Sequence, residues 1–284
     1  MQTIERRRAR FAELHARPSA FLMPNPFDVG TAQILEGLRY EALATTSAGH
    51  AFTLGFKDAE GLITRDLALA HAQEIVNATT LPVNGDLENG FGDSPDDVVE
   101  TIKGAIDVGL AGCSIEDYSQ DHDAPYYPLD LAVERIKAAV DAKNQAAPDF
   151  VLTARSEAPV QSAGDLKNTV ERLTAFADAG ADCIYAPGLV DPEHITSVLS
   201  AIDKPLNVLS GRKRFHLTRK ELADLGVTRV SIGSGLARIA FGAFVAAAED
   251  MKDSGTFGCF DRASGFTEFD PFLRGRKSDH AEGG

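Results

Sequence analysis

LPVNGDLENGFGDSPDDVVETIKGAIDVGLAGCSIED, residues 81–117, contains the repeating unit of the fold. An apolar run, 81–88, ends in Asp86 and Glu88. Ser94-Pro95-Asp96 then opens a segment, 95–108, whose apolar residues recur at helical spacing, and a second apolar run, 111–117, ends in Glu116 and Asp117. A strand, a crossover helix and a second strand joined this way demand parallel pairing. Parallel strands are covered on both faces and therefore read as continuous apolar runs rather than alternating ones.

The same unit recurs along the chain. Further runs fall at 21–28, 42–48, 150–157, 181–187, 205–210 and 227–233, and helical periodicity at 31–38, 66–78, 129–144, 165–179, 192–201 and 218–225. Asp28 stands before the first of these helices, and Thr218 with Glu221 has capping-box spacing. Eight β/α units in about 250 residues fit a closed (β/α)₈ TIM-type barrel better than an open doubly wound sheet. The open sheet would carry a Gly-x-Gly-x-x-Gly turn after its first strand, where this chain reads Asn25-Pro26-Phe27-Asp28-Val29-Gly30. The expected organisation is one barrel domain over 1–274, with an N-terminal helix and a C-terminal helical extension, and a disordered polar tail at 275–284. The interval 49–64 reads as a mobile loop over the site.

The 284 residues are 44% hydrophobic, enough for a sizeable core, and the formal charge of −14 argues against a nucleic-acid partner. Arg6-Arg7-Arg8-Ala9-Arg10, interleaved with Phe11 and Leu14, reads as an amphipathic opening helix with a solvated basic face. No apolar stretch is long enough for a membrane span or a secretory signal, so a cytoplasmic protein without a membrane partner is expected. Cys113, Cys183 and Cys259 are odd in number and widely spaced; they read as buried thiols.

In such a barrel the chemistry sits where strands end. Those ends supply Asn25 and Asp28; Thr46, Ser47 and Gly49; Asp86 and Glu88; Glu116 and Asp117; Arg155 and Glu157; Tyr185; and Asn207 and Ser210. In a strand, residues i and i+2 face the same way, which would project Asp86 and Glu88 together. Four acids from two adjacent strands, with Asp58 in the long loop, concentrate negative charge that a hard divalent cation would balance, and Mg²⁺ is satisfied by one or two carboxylates plus an anionic substrate. A guanidinium at the mouth, Arg155, suits bidentate capture of a carboxylate.

Pro24-Asn25-Pro26-Phe27-Asp28, Thr45-Thr46-Ser47-Ala48-Gly49, Asp86-Leu87-Glu88-Asn89-Gly90-Phe91-Gly92, Ser114-Ile115-Glu116-Asp117 and Thr153-Ala154-Arg155 together resemble the isocitrate lyase / phosphoenolpyruvate mutase superfamily over about residues 18–250. The resemblance implies a barrel whose last helix is exchanged between paired subunits, assembled as a homotetramer, a dimer of dimers. It also implies Mg²⁺ or Mn²⁺ held by Asp86, Glu88, Glu116 and, through water, Asp58. Substrate would be held by the backbone around Ser47, Ala48 and Gly49 and by Arg155, with Asn207 and Tyr185 as further pocket residues. Arg155 and Glu116 are the expected catalytic groups.

The superfamily's isocitrate and methylisocitrate lyases carry a cysteine acid in a Lys-Lys/Arg-Cys-Gly-His segment after strand four. Here that segment is Asp117-Tyr118-Ser119-Gln120-Asp121-His122, which also lacks the lysine and asparagine of the phosphonomutases. His122 becomes the candidate acid or base, since imidazole titrates near neutrality. The expected activity is a Mg²⁺-dependent carbon–carbon lyase or decarboxylase acting on a small 2-oxo or 2-hydroxy (di)carboxylate through an enolate. The alternatives are a phosphonopyruvate-type mutase or hydrolase and a barrel that binds a 2-oxo acid without turnover.

Overall fold

The computed structural model describes residues 3–121, 123–213 and 215–274. Eight strands run parallel in the order β1-β8-β7-β6-β5-β4-β3-β2: β1 (Phe21–Met23), β2 (Leu43–Ala44), β3 (Val83–Asp86), β4 (Gly112–Glu116), β5 (Val151–Arg155), β6 (Cys183–Tyr185), β7 (Leu206–Leu209) and β8 (Arg229–Ser231). The seam between β1 and β2 is drawn together just past the strands, where the Ala44 N–H donates to the Pro24 carbonyl at 3.0 Å. Asn25, just past β1, donates to the Thr45 carbonyl beyond β2 and accepts from the Ile232 N–H beyond β8, tying both neighbours to β1. The sheet thus closes into the expected barrel, and the open alternative falls. Tail residues 275–284 lie outside the described residues.

The crossover helices are α2 (Val29–Gly37), α4 (Arg65–Ala78), α5 (Pro95–Asp107), α6 (Leu129–Ala146), α7 (Ala163–Asp178), α8 (Pro192–Ala201) and α9 (Arg219–Leu225), with α1 (Ile4–His15), α3 (Ser47–Thr53) and α10 (Gly235–Ser254) besides. Their starts are written locally. Asp28, Ser94 and Thr218 each form a reciprocal capping box, which satisfies amide donors that the first turn leaves unpaired. The interval 49–64 is not all loop: Thr46 caps α3 and gives its first part helical order.

Two apolar clusters hold the barrel. The larger fills the layer between strands and helices, with Ile75, Ile102, Phe150, Phe176 and Val208 fully buried. The smaller lies inside the barrel, where Phe11 and Leu14 of α1 meet Phe21, Met23, Ala44 and Cys183. A side chain at Gly112 would reach within 2.9 Å of the Phe11 ring and collide with the Val151 carbonyl, so glycine there admits the plug.

The basic face of α1 is only partly solvated. Arg7 and Arg8 are buried and donate to carbonyls at or just past helix ends: Arg7 to Val76 at 2.9 Å, Arg8 to Ile106 at 2.6 Å and to Leu110 at 3.1 Å. Carbonyls at helix C-termini carry partial negative charge, which suits them as partners for these arginines. Cys113 and Cys183 are buried as expected, whereas Cys259 is partly exposed. Among the described residues no helix is long and apolar enough to cross a membrane.

Candidate active site

Two adjoining cavities open at the C-terminal ends of the strands and share the walls Ser47, Asp58 and Arg155. The inner one, about 160 Å³, descends into the barrel past Asp86, Asn207 and Arg229. The outer one, about 220 Å³, is bounded by Glu88, Glu116 and Glu157 and by Tyr118, Gln120 and Tyr126.

Arg155 is the hub. Its Nη1 lies 3.1 Å from Asp86 Oδ1 and 3.2 Å from Glu116 Oε2, its Nε donates to Glu157, and its guanidinium stacks 5.1 Å over the Tyr185 ring. Asp86 is further held by the Ser47 N–H and hydroxyl, both 2.9 Å from Oδ2. One guanidinium therefore serves three carboxylates while Glu88 and Asp58 add two more. The surplus shows in the acids. Burial, reinforced by Asp86 and Asp58, pushes Glu88 up to about 7. Burial lifts Glu116 well above the usual carboxylate range, with Glu157, Asp86 and Glu88 adding to the push against Arg155. Burial also works against the Arg155 charge, but Glu116 and Glu157 outweigh it and keep the guanidinium protonated.

Asp86 and Glu88 come together by a different route from the one strand alternation predicts. β3 ends at Asp86, and Glu88 lies beyond it in a turn with φ +48°, followed by Gly90 at +86° and Phe91 at +59°. A tight left-handed turn, not a shared strand face, returns Glu88 to the rim, where Gln120 donates to it at 2.7 Å. Asp117 does not join the rim at all. It is buried, accepting from the Ser156 hydroxyl at 2.9 Å, the Glu157 N–H at 2.8 Å and Arg172 at 3.1 Å, and so clamps the ends of β4 and β5.

The amides after β2 are also partly committed. Ser47 N–H serves Asp86, and Gly49 N–H is taken by the Thr46 hydroxyl at 3.2 Å; Ser47 and Ala48 line the inner cavity and Gly49 does not. Gly49 is instead a packing requirement, since a Cβ there would stand 2.5 Å from Thr46 Cγ2 and 3.2 Å from Phe27 Cβ. Asn207 lines the inner cavity, donating to Ser231 at 3.0 Å and accepting from Arg229 at 2.9 Å. Tyr185 forms a wall, its phenol pushed up by burial. His122 lies outside the described residues. Glu157, a strand-end candidate, does reach the rim, whereas Gln120 and Arg229 escaped the sequence reading: the polar residue closing an apolar run was the available signal, and Arg229 lies near the start of its run.

The donor set tests the fit of a divalent cation. Asp58, Asp86, Glu88 and Glu116 offer hard oxygen ligands only, and the raised carboxylates mark negative charge that Arg155 alone leaves unbalanced. Among the described residues no three His, Cys, Asp or Glu side chains already converge as a ready cage. That matches a rim in which Arg155 and Ser47 occupy the carboxylate oxygens, and Mg²⁺ accepts water and substrate for most of its shell. The residues fit such an ion.

Comparison with known proteins gives concordant results. The model of the phosphoenolpyruvate phosphomutase family matches residues 11–252. Probable 2-methylisocitrate lyase 2 of Corynebacterium glutamicum is 31% identical over 259 residues, spanning 88% of this chain and 82% of that protein. A crystal structure from Burkholderia cenocepacia J2315, named only by class as a lyase/mutase, superposes with a TM-score of 0.89 at 47% identity, covering 94% of this chain and 95% of the other. The structure of oxaloacetate acetylhydrolase in complex with the product oxalate superposes with a TM-score of 0.82 at 26% identity, covering 93% of each chain.

Proposed function

The chain belongs to the phosphoenolpyruvate phosphomutase family, within the phosphoenolpyruvate mutase / isocitrate lyase superfamily, and is a carbon–carbon lyase by its relatives; on that premise we propose that it cleaves a small 2-oxo or 2-hydroxy (di)carboxylate with the help of Mg²⁺. The observation that carries this reading is the Arg155 hub, one guanidinium shared by Asp86, Glu116 and Glu157 at the mouth of a cavity sized for a small acid.

Asp86, Glu88 and Glu116, with Asp58 through water, would hold the cation. Bound there, it would supply positive charge to the substrate's oxo oxygen and relieve Arg155 as counter-ion to the rim acids. Arg155 then presents a planar fork to the substrate carboxylate, a geometry that a lysine cannot reproduce. Ser47 and Ala48 would border the oxo end, Tyr185 underlies the guanidinium, and Asn207 offers an amide deeper in the cavity. Breaking the bond beside the oxo carbon leaves an enolate, whose charge these preplaced groups stabilise without reorganising. A proton must then be delivered. The segment after β4 holds no cysteine, so the donor belongs to the loop that carries Tyr118, His122 and Tyr126, with His122 the proposed acid.

The outward face of α10 bears on assembly. Ile239 is 69% exposed and Phe244 72%, and Phe257 and Phe260 beyond the helix add to the same apolar surface. Such a surface is unusual on a monomer. A second copy of the chain, exchanging this helix within a homotetramer, is the proposed cover, and the site and the assembly both lie in a cytoplasmic enzyme in this reading.

Purified protein incubated with Mg²⁺ and a panel of 2-oxo and 2-hydroxy dicarboxylates, with pyruvate, glyoxylate, oxalate and CO₂ followed, tests the activity. Chelator-sensitive product formation that Asp86→Ala abolishes is the expected result. Turnover of phosphonopyruvate instead, or binding without product at high enzyme concentration, would overturn it.

A further inference from the structure

Arg229 is 1% exposed, yet among the described residues no carboxylate lies within salt-bridge distance of it. The other fully buried arginine, Arg135, contrasts with it: that guanidinium donates to the carbonyls of Asn89, Gly92 and Ser94 and stacks 4.3 Å over Tyr127. Arg7 and Arg8 likewise end on carbonyls. Arg229 meets only neutral side chains, Nε donating to Asn207 Oδ1 at 2.9 Å and Nη1 to His15 Nε2 at 3.2 Å. A guanidinium has five N–H donors, so most of its capacity is left over.

His15 is arranged to accept rather than compete. Its Nδ1 lies 2.8 Å from the Phe11 carbonyl, which can only accept, so the proton sits on Nδ1 and Nε2 keeps a free lone pair for Arg229. Burial and the Arg229 charge drive its pKa down to about 3, so the ring brings no second cation. The floor of the barrel therefore holds one positive charge, oriented by a neutral imidazole and an amide, and that charge lines the same inner cavity as Arg155. The register places them in one row across the sheet: Glu116 pairs with Arg155, Arg155 with Tyr185, Tyr185 with Asn207, and Asn207 with Arg229. A buried charge without a counter-ion is costly, and an anion entering the cavity would relieve it.

We infer that Arg229, with Asn207 and Ser231, forms a floor subsite for a carboxylate, so that the substrate is a dianion bound at Arg155 by one end and at Arg229 by the other. This rests on the reading of the cavity as the substrate site. It assigns the choice between mono- and dicarboxylates to the barrel interior instead of the loops at its mouth.

Calorimetric titration of the full chain with malonate, a dianion that does not react, and with lactate, a monoanion, tests the subsite. Malonate should bind roughly tenfold or more tightly than lactate, the worth of a hydrogen-bonded charge pair. Arg229→Gln should weaken malonate about tenfold more than it weakens lactate, and Arg229→Lys should recover part of the difference. Equal loss for both ligands, or none, overturns the subsite. Repeating the titrations with chelator separates the two readings: a malonate preference that persists there and disappears in Arg229→Gln upholds the subsite even if Mg²⁺ proves irrelevant. Wild-type crystals soaked in bromide give a measure that no folding defect can confuse. Bromide at the Arg229 guanidinium that malonate displaces supports the subsite; bromide that malonate leaves in place marks a resident inorganic anion and overturns it, as does the absence of both.

Discussion

The two ends of the barrel handle charge in opposite ways. At the N-terminal end α1 closes the cylinder, and its buried Arg7 and Arg8 donate to backbone carbonyls at or just past helix ends. At the C-terminal rim Asp58, Asp86, Glu88, Glu116 and Glu157 crowd around one guanidinium, and burial with mutual repulsion raises Glu88 and Glu116. The α1 arginines are spent on backbone carbonyls and serve stability. The rim keeps an electrostatic imbalance that a folded protein retains only where a ligand completes it. The difference supports the proposed site by its unsatisfied chemistry, independently of any motif.

The contrast can be broken most forcefully at the plug. Phe11 is fully buried and packs edge-on against His15 at 4.6 Å and Phe21 at 6.3 Å. Phe11→Ala should lower unfolding free energy by roughly 3–5 kcal/mol in urea titrations, through lost burial plus a cavity. A rim change should do the reverse: Glu116→Gln removes one of the clustered like charges, so stability should hold or rise while kcat/KM on the substrate found by the panel falls by on the order of 10²-fold or more. If Glu116→Gln destabilised the fold as Phe11→Ala does, the rim would be structural and the contrast would fail.

A finer test uses pH, because the two ends should titrate with opposite sign. His15 has a folded pKa near 3, depressed from 6.5, so the unfolded chain binds the extra proton; its contribution is complete above about pH 6.5 and is lost as pH falls toward 3. The slope is at most about 1.4 kcal/mol per pH unit. Glu88 is raised from 4.5 to about 7, so its contribution is present below pH 4.5 and is lost as pH rises through 7. Denaturation curves of Glu88→Gln should therefore gain on the wild type as pH climbs from 4.5 to 7, whereas His15→Gln should flatten the acid limb. The smallest effect expected is at Arg155→Lys, where the charge stays and only the fork is lost: substrate affinity weakens while Mg²⁺-linked thermal stabilisation persists.

Much of the architecture was legible in the chain because it rests on local rules. The capping boxes at Ser94 and Thr218 and the apolar runs need only neighbouring residues, and the helix starts near 95, 129, 192 and 219 follow from them. Arg155, Asp86 and Glu116 were legible as well, since a polar residue closing a buried parallel strand lands at the rim by construction. Glu88 reached the rim for a reason the sequence did not suggest, a left-handed turn in place of strand alternation. Asp117, adjacent to Glu116 and equally acidic, went to Arg172 instead, because just past the end of β4 the Ser156 hydroxyl, the Glu157 N–H and Arg172 surround it.

By itself the sequence determined the order of eight β/α units, their parallel sense and the set of acids that end them, because periodicity and capping act over a few residues. Tertiary structure alone decided which charges meet and which stay unmatched. Glu157 was brought onto Arg155, Arg7 onto Val76, and Arg229 onto a histidine 214 residues away. Closing and plugging the barrel sets those pairings, and the energy of a buried charge depends on every group the closed cylinder places around it, a sum no local pattern contains.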